Sequence, residues 1–254
     1  MLRRAGASRR DIDFARGNSD FGTAMTSALI VAAGKGTRMG PQMDKLFLEV
    51  AGRPVVAHTW QRFEAATCID EIVLVVRDGL QGAFQELAVS CHFKKPFQLV
   101  PGGKERQDSV WNGLEALGPK TELVAIQDGA RPCTSLALIC GTLEAARETG
   151  AAVAAQRVTD TIKESEDGEL ITRHLDRSRL WAVQTPQSFR VEVIRKALAA
   201  VRQKGLIVTD DTATCELIQQ PVRLVESAAP NPKITVPGDL PYVEMLLRQP
   251  DRGL

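Results

Sequence analysis

From position 27 onward, short runs of aliphatic and β-branched residues alternate with segments whose apolar positions recur every three or four residues. The runs at 27–33, 71–76, 97–101, 123–128 and 152–158 have strand length. Between and after them, Val110, Leu114 and Leu117 fall at i, i+4 and i+7, as do Ile194, Leu198 and Val201 in a later segment, so each set makes one face of a helix. A last helix is predicted near the end, with Asp239 as N-cap and Leu240, Val243 and Leu247 as its apolar stripe. Strand runs alternating with helical periods predict an α/β fold: a single-domain, Rossmann-like layered sheet, mostly parallel, with helices on both faces.

One stretch breaks the alternation. Thr161 to Glu164 and Glu169 to Thr172 read as two short extended pieces around the turn-forming Glu166, Asp167 and Gly168. This predicts a protruding β-hairpin arm over about residues 159–178. A lone two-stranded hairpin is marginal in water, so another surface should cover it, and a second copy of the chain is the simplest candidate. A homodimer is therefore expected, with the arm used for dimerisation.

Length and charge narrow the class. At 254 residues the chain fits one large α/β domain, expected over 25–250. With 32 basic and 31 acidic side chains there is no overall field to recruit nucleic acid or an anionic membrane, so neither is expected as a partner. The longest apolar stretches, Ala28 to Ala33 and Ile72 to Val76, fall far short of the about 20 residues that span a bilayer. The five cysteines, Cys68, Cys91, Cys133, Cys140 and Cys215, are odd in number and lack CxxC spacing. They read as buried thiols in a reducing compartment, the cytoplasm, with neither a disulfide framework nor a zinc site. Residues 1–24 carry five arginines but no apolar core, and Asp11, Asp13 and Asp20 argue against a transit peptide. A disordered tail is expected there, and Met25, just before the first strand, is an alternative start.

The first strand runs into Gly34, Lys35, Gly36, Thr37, Arg38, Met39 and Gly40. A glycine-rich turn lets backbone N–H groups approach an anion, and Lys35, Arg38 and the later Lys45 bring cations to it. The spacing is GxGxxxG, one residue too long for the dinucleotide fingerprint, and the GK[ST] ending of a P-loop is missing. A surface turn with incidental basic residues remains the alternative at this point. Asp128 stands at the carboxyl end of a strand, where open α/β sheets bind ligands, although an aspartate there also caps turns. His58, His92 and His174 are isolated, so magnesium on the hard oxygen of Asp128 fits better than zinc.

The string from Ala28 to Gly40, followed by Lys45 to Leu48 and Gly52 to Val55, resembles the signature of transferases that activate a sugar phosphate with a nucleoside triphosphate. Segments 101–110, 125–132, 160–163, 174–177, 180–187 and 231–235 resemble the methylerythritol phosphate cytidylyltransferases specifically. The resemblance implies that Ala32, Ala33, Gly34, Lys35 and Gly36 wrap the triphosphate of CTP, and that Arg38, Lys45 and Lys233 are the catalytic cations. It further implies that Gly102, Gly103 and Ser109 enclose the cytosine, and that Asp128, with Ala130 beside it, adjoins substrate and Mg²⁺ while Arg131 shapes the site. Thr161, Arg177 and Thr185 would bind the polyol phosphate, Arg177 reaching across from the second subunit, and Lys233 would open a strand. Lys104 and Gly129 depart from the family pattern, where an acidic residue and an alanine are frequent.

The implied reaction is in-line attack of an acceptor phosphate oxygen on the α-phosphorus of CTP, releasing pyrophosphate. With 2-C-methyl-D-erythritol 4-phosphate as acceptor, the product is 4-diphosphocytidyl-2-C-methyl-D-erythritol. Three alternatives compete: the same chemistry on ribitol 5-phosphate, a nucleotide-binding regulatory module without turnover, and a nicotinamide oxidoreductase, whose fingerprint is absent. The length leaves no room for a fused second enzyme, so a single activity is expected.

Overall fold

The structure, a computed structural model, describes residues 24–34 and 44–249. The tail expected over 1–24 lies outside the described residues apart from its last position, and so do Lys35, Gly36 and Arg38. The elements in chain order are β1 (Met25–Ala32), β2 (Glu49–Val50), β3 (Arg53–Pro54), α1 (Val55–Ala65), β4 (Glu71–Val76), α2 (Gln81–Ser90), β5 (Phe97–Pro101), α3 (Arg106–Glu115) and β6 (Thr121–Asp128). They continue with α4 (Leu136–Thr149), β7 (Ala151–Arg157), β8 (Lys163–Glu164), β9 (Arg173–His174), β10 (Trp181–Arg190), α5 (Val191–Gln203), α6 (Ala213–Glu216), β11 (Arg223–Glu226) and α7 (Leu240–Arg248).

Seven strands form one sheet in the order β11-β7-β10-β6-β1-β4-β5. Only β10 is reversed within it, pairing antiparallel with both β6 and β7. The other pairings, β1 with β4 and β6, β4 with β5, and β7 with β11, are parallel. The expected mostly parallel layered sheet is thus present. Its two faces are separated by the pleat, which sends alternate side chains to opposite sides. Ala28, Ile30, Ile72 and Leu74 join Trp60 and Phe63 of α1 and Ile139 of α4 in one core. Leu29, Val73, Val75 and Ile126 pack on the other face against Val110 and Leu114 of α3 and Ile194 and Leu198 of α5, the stripes read from periodicity.

Two strands of the sheet do not show as apolar runs in the sequence. β10 contains Pro186, which cannot donate to a ladder, and its buried residues include Gln184, Thr185, Gln187 and Ser188. The proline is accommodated where the pairing to β7 shifts register between Val183 and Gln187. β11 is a four-residue edge strand, mostly exposed, and carries little apolar signal.

Other expectations need correction. The arm exists, but its second strand is β9 rather than 169–172, because Asp167 Oδ1 accepts the amides of Glu169 at 2.8 Å and Leu170 at 2.9 Å and lengthens the turn. Asp239 does not cap the first amides of α7; its Oδ2 accepts from Thr235 N at 2.7 Å and Val236 N at 2.9 Å and closes the 3₁₀ turn before that helix. The cysteines are not all thiols: Cys68 and Cys140 form a disulfide with Cα atoms 5.8 Å apart. Packing of α1 and α4 on one face of the sheet brings this pair together across 72 positions, a distance at which spacing gives no signal. Cys91 and Cys133 are half-buried, and only Cys215 is the buried thiol expected, its pKa pushed up by burial to about 11. No helix among the described residues is long and apolar enough to cross a membrane.

Candidate active site

The carboxyl ends of β1, β4, β5 and β6 share one edge of the sheet, and the site is assembled there from the loops that follow them. After β5 the chain turns back at Gly102, whose N–H donates to Val76 O at 2.8 Å. A Cβ on Gly102 would stand 2.3 Å from the Ala33 Cβ, and one on Gly103 would stand 2.3 Å from the Asp108 Cβ. Both glycines are therefore demanded by close approach. Asp108 Oδ2 accepts from Glu105 N at 3.0 Å, and the Ser109 hydroxyl accepts from Gly103 N at 3.0 Å while donating to Glu105 O at 3.2 Å. Ser109 thus shapes the loop, and its hydroxyl is already engaged.

Asp128 ends β6, and its N–H donates to the Thr185 hydroxyl at 3.1 Å. Its carboxylate sits among three cations: Lys233 Nζ at 2.9 Å, Arg131 Nε at 3.4 Å and Arg106 Nε at 3.6 Å. Burial acts to raise this carboxyl's pKa, but Lys233, Arg106 and Arg131 outweigh it and hold the group at about 2. Asn231 fixes the segment carrying Lys233, since its amide donates to Thr185 O at 2.8 Å and its carbonyl oxygen accepts from the Thr134 hydroxyl at 2.9 Å. Lys233 does not open a strand: its segment is irregular and is tied to the loop after β6 by Ile234 N donating to Ala130 O at 2.9 Å and Arg131 Nη1 donating to Asn231 O at 2.7 Å. Lys45 Nζ donates to Ile234 O at 3.0 Å, so the two lysines flank the same stretch.

Two clefts open here. The first, 380 Å³, is lined by Ala33, Gly34, Lys45, Gly103, Ser109 and Ala130 among others. The second, 290 Å³, is lined by Arg131, Thr185, Gln187, Thr209 and Asp210 among others. Arg106, Asp128 and Lys233 line both. Ala32, buried in β1, and Gly102 are outside the lining of the first cleft. Thr161 and Arg177 line neither; they are exposed on the arm, where Arg177 Nη1 donates to Thr159 O at 2.6 Å.

The two clefts thus meet at Arg106, Asp128 and Lys233. Residues 26–249 match the family described as 2-C-methyl-D-erythritol 4-phosphate cytidylyltransferase, IspD. This chain belongs to that family. Its activity is accordingly CTP-dependent cytidylyl transfer to 2-C-methyl-D-erythritol 4-phosphate, in the non-mevalonate route to isoprenoid precursors. The protein named 2-C-methyl-D-erythritol 4-phosphate cytidylyltransferase from Pelotomaculum thermopropionicum is 42% identical over 223 residues, covering 87% of this chain and 94% of that one. Among solved structures, 4-diphosphocytidyl-2C-methyl-D-erythritol synthase from Anaerococcus prevotii superposes with a TM-score of 0.78 at 30% identity, covering 89% of this chain and 99% of that one. The 2-C-methyl-D-erythritol 4-phosphate cytidylyltransferase from Thermus thermophilus gives 0.73 at 36% identity, covering 89% of this chain and 100% of that one.

Within this cytidylyltransferase, sequence reasoning missed Arg106, Thr209, Asp210 and Asp211. Asp210 accepts from Gln187 Nε2 at 2.9 Å, the Thr212 hydroxyl at 2.7 Å and Ala213 N at 3.0 Å, and so anchors the turn into α6. Arg106 Nη2 lies 2.8 Å from Asp211 Oδ2. Arg106 falls inside the glycine-rich 101–110 segment, yet only the fold reveals its partner. Among the described residues no group of three His, Cys, Asp or Glu side chains could hold a metal by itself. Magnesium does not need one, because it binds through one or two carboxylates together with substrate phosphates and water. Asp128 fits that role: it is ionised, and its Oδ1 has Arg106 at 3.6 Å, beyond hydrogen-bonding distance. His58 bonds Val50 O at 2.7 Å and lines neither cleft.

Proposed function

We propose that CTP occupies the first cleft and the polyol phosphate the second, with the transfer taking place at their junction. The observation that carries this reading is that Arg106, Asp128 and Lys233 line both clefts. The task there is electrostatic. Two unit charges about 4 Å apart repel by roughly 4 kcal/mol at an effective dielectric near 20, and two multiply charged anions have to meet. Lys45 and Lys233 supply cations fixed in advance, which act most strongly where charge builds on the crowded phosphorus, and the motif adds Arg38 as a third cation. The attack needs no covalent intermediate with the enzyme: the acceptor phosphate oxygen bonds to the α-phosphorus as the bond to pyrophosphate breaks.

Lys233 changes partner in this scheme. In the structure it pairs with Asp128, and a phosphate entering either cleft competes for its ammonium while Arg106 and Arg131 keep the carboxylate compensated. Asp128 would hold Mg²⁺ together with substrate phosphates, and when bound the metal would neutralise phosphate charge as in other phosphoryl-transfer sites. On the nucleotide side, Ala33, Gly34, Gly103 and Ser109 line the cleft for CTP, with Ala32 and Gly102 behind them, and the resemblance adds Lys35 and Gly36 to this set. On the acceptor side, Thr185 is in place in the same chain, whereas Thr161 and Arg177 stand on the exposed arm and serve the site of a second copy. A homodimer follows, with small-molecule substrates as its ligands.

Pyrophosphate release with CTP tests the reading, comparing 2-C-methyl-D-erythritol 4-phosphate with ribitol 5-phosphate and Mg²⁺ with excess chelator. The expected result is release with the first acceptor, weak release with the second and none under chelation. Equal turnover with chelator present would contradict the metal role.

A further inference from the structure

Asp211 is a fully buried carboxylate, its side chain 1% exposed, whose oxygens receive no well-aligned hydrogen bond. Burial pushes the pKa of this carboxyl up while Arg106 opposes the shift, and a polar group so desolvated is kept only where something requires it. Its one ion-pair partner among the described residues is Arg106, and among those residues that guanidinium is the only group bridging two carboxylates of the site: Nη2 is 2.8 Å from Asp211 Oδ2 and Nε is 3.6 Å from Asp128 Oδ1. The bridge joins three elements that share no sheet pairing with one another: the first turn of α3 on the nucleotide side, the end of β6, and the turn before α6 on the acceptor side. Gln187 of β10 pins that last turn independently, its Oε1 accepting from Asp211 N at 2.9 Å and Thr212 N at 3.2 Å. Gln107, next to Arg106, ties the same two walls together, donating to Leu206 O at 2.9 Å and accepting from Val208 N at 3.0 Å.

We infer that Arg106, anchored by Asp211, is a positioning residue for cytidylyl transfer: it orients Asp128 at the junction of the two clefts and sets the spacing between the nucleotide and acceptor walls. This rests on the assignment of CTP and acceptor to those clefts. The guanidinium acts through Asp128, so its effect belongs to the transfer step more than to CTP binding. A fork is required, since an ammonium is a single point and cannot meet both carboxylates at once.

The discriminating variant replaces the pair by apolar residues of similar volume, Arg106→Met with Asp211→Leu, because such swaps of buried ion pairs commonly leave a protein folded and as stable as before. With 2-C-methyl-D-erythritol 4-phosphate as acceptor, kcat is expected to fall on the order of 10²-fold, as for other small misplacements of a reacting group. CTP affinity measured by calorimetry without acceptor should fall much less than kcat, since the loss is concentrated in the transfer step. A folded double variant with wild-type kcat overturns the inference and assigns the pair a purely structural part. Should that variant fail to fold, Arg106→Lys decides: a fall in kcat at unchanged thermal midpoint supports positioning, and wild-type kcat overturns it. Wild-type protein inactive with CTP and this acceptor would instead overturn the underlying assignment of the clefts, so the two failures are distinguishable.

Discussion

Asp128 places a negative charge where two anions are to meet, so that charge must be balanced before either can bind. Lys233 at 2.9 Å, Arg131 at 3.4 Å and Arg106 at 3.6 Å do so. Because the folded pKa of about 2 lies below the ordinary value of 3.8, the associated stability is present above the ordinary value and is lost as pH falls through about 2. That difference corresponds to about 2 kcal/mol. Unfolding curves recorded from pH 5 down to pH 2 should therefore converge between wild type and Asp128→Asn; parallel curves would show that the carboxylate is not held ionised. At the same scale, Lys45→Ala and Lys233→Ala should each lower kcat on the order of 10²–10³-fold, the cost of removing one fixed donor from a site of developing charge. Steady-state kinetics with wild-type turnover in either variant would remove that lysine from the chemistry. Asp128 was legible from its place at the end of a strand and Lys45 as a cation near the glycine loop, whereas Thr185 and Lys233 were legible only through the resemblance of their motifs to the family's. Arg106 and Asp211 owe their meaning to a pairing between positions far apart in the chain, which leaves no local pattern in it.

Among the elements, the glycine turn after β5 is set by contact and not by torsion. Its two glycines have a Cβ-excluding neighbour at 2.3 Å each. Gly102→Ala should shift the loop away from Ala33 and raise the KM for CTP, at a stability cost of about 1–3 kcal/mol typical of overpacking. Gly113, inside α3, offers the contrast, because a Cβ there would meet Leu29 Cδ1 at 2.5 Å within the core. Gly113→Ala should lower the thermal midpoint while leaving the KM for CTP unchanged in the folded fraction; equal KM effects from both would deny the turn its place in the nucleotide wall. The strands at 71–76 and 97–101 were readable to the residue, being apolar runs with clear turns on either side. β10 was not, since four of its buried positions, Gln184, Thr185, Gln187 and Ser188, are polar and satisfied by neighbours: Ser188 Oγ donates to the Thr142 hydroxyl at 2.9 Å, and Gln187 serves the α6 turn. A strand that doubles as the wall of a polar site loses the alternation by which strands are recognised.

For the whole molecule, the mostly parallel sheet and the two-faced core followed from the sequence, while the covalent link and the position of the arm's second strand did not. The Cys68–Cys140 disulfide closes a long loop and should contribute about 2–4 kcal/mol. Thermal unfolding with and without reductant should therefore differ in midpoint by several degrees; superimposable curves would mean that the link adds no net stability. The arm exposes Leu170 at 71% and Ile171 at 66%, an apolar tip that its own chain leaves open. In a homodimer those side chains are covered, so Ile171→Asp should shift sedimentation from two chains toward one and reduce acceptor turnover with it, because Thr161 and Arg177 would leave the second copy's site. A monomeric wild type with full activity would exclude that use of the arm.

The most direct measurement is a crystal structure of the protein with CTP and Mg²⁺ bound. The triphosphate should lie along Gly34, Lys45 and Lys233, with its α-phosphorus at the junction formed by Arg106, Asp128 and Lys233 and the cytosine against Gly102, Gly103 and Ser109. A nucleotide bound in the second cleft, or with its base at the junction and its phosphates toward Ser109, would contradict the account.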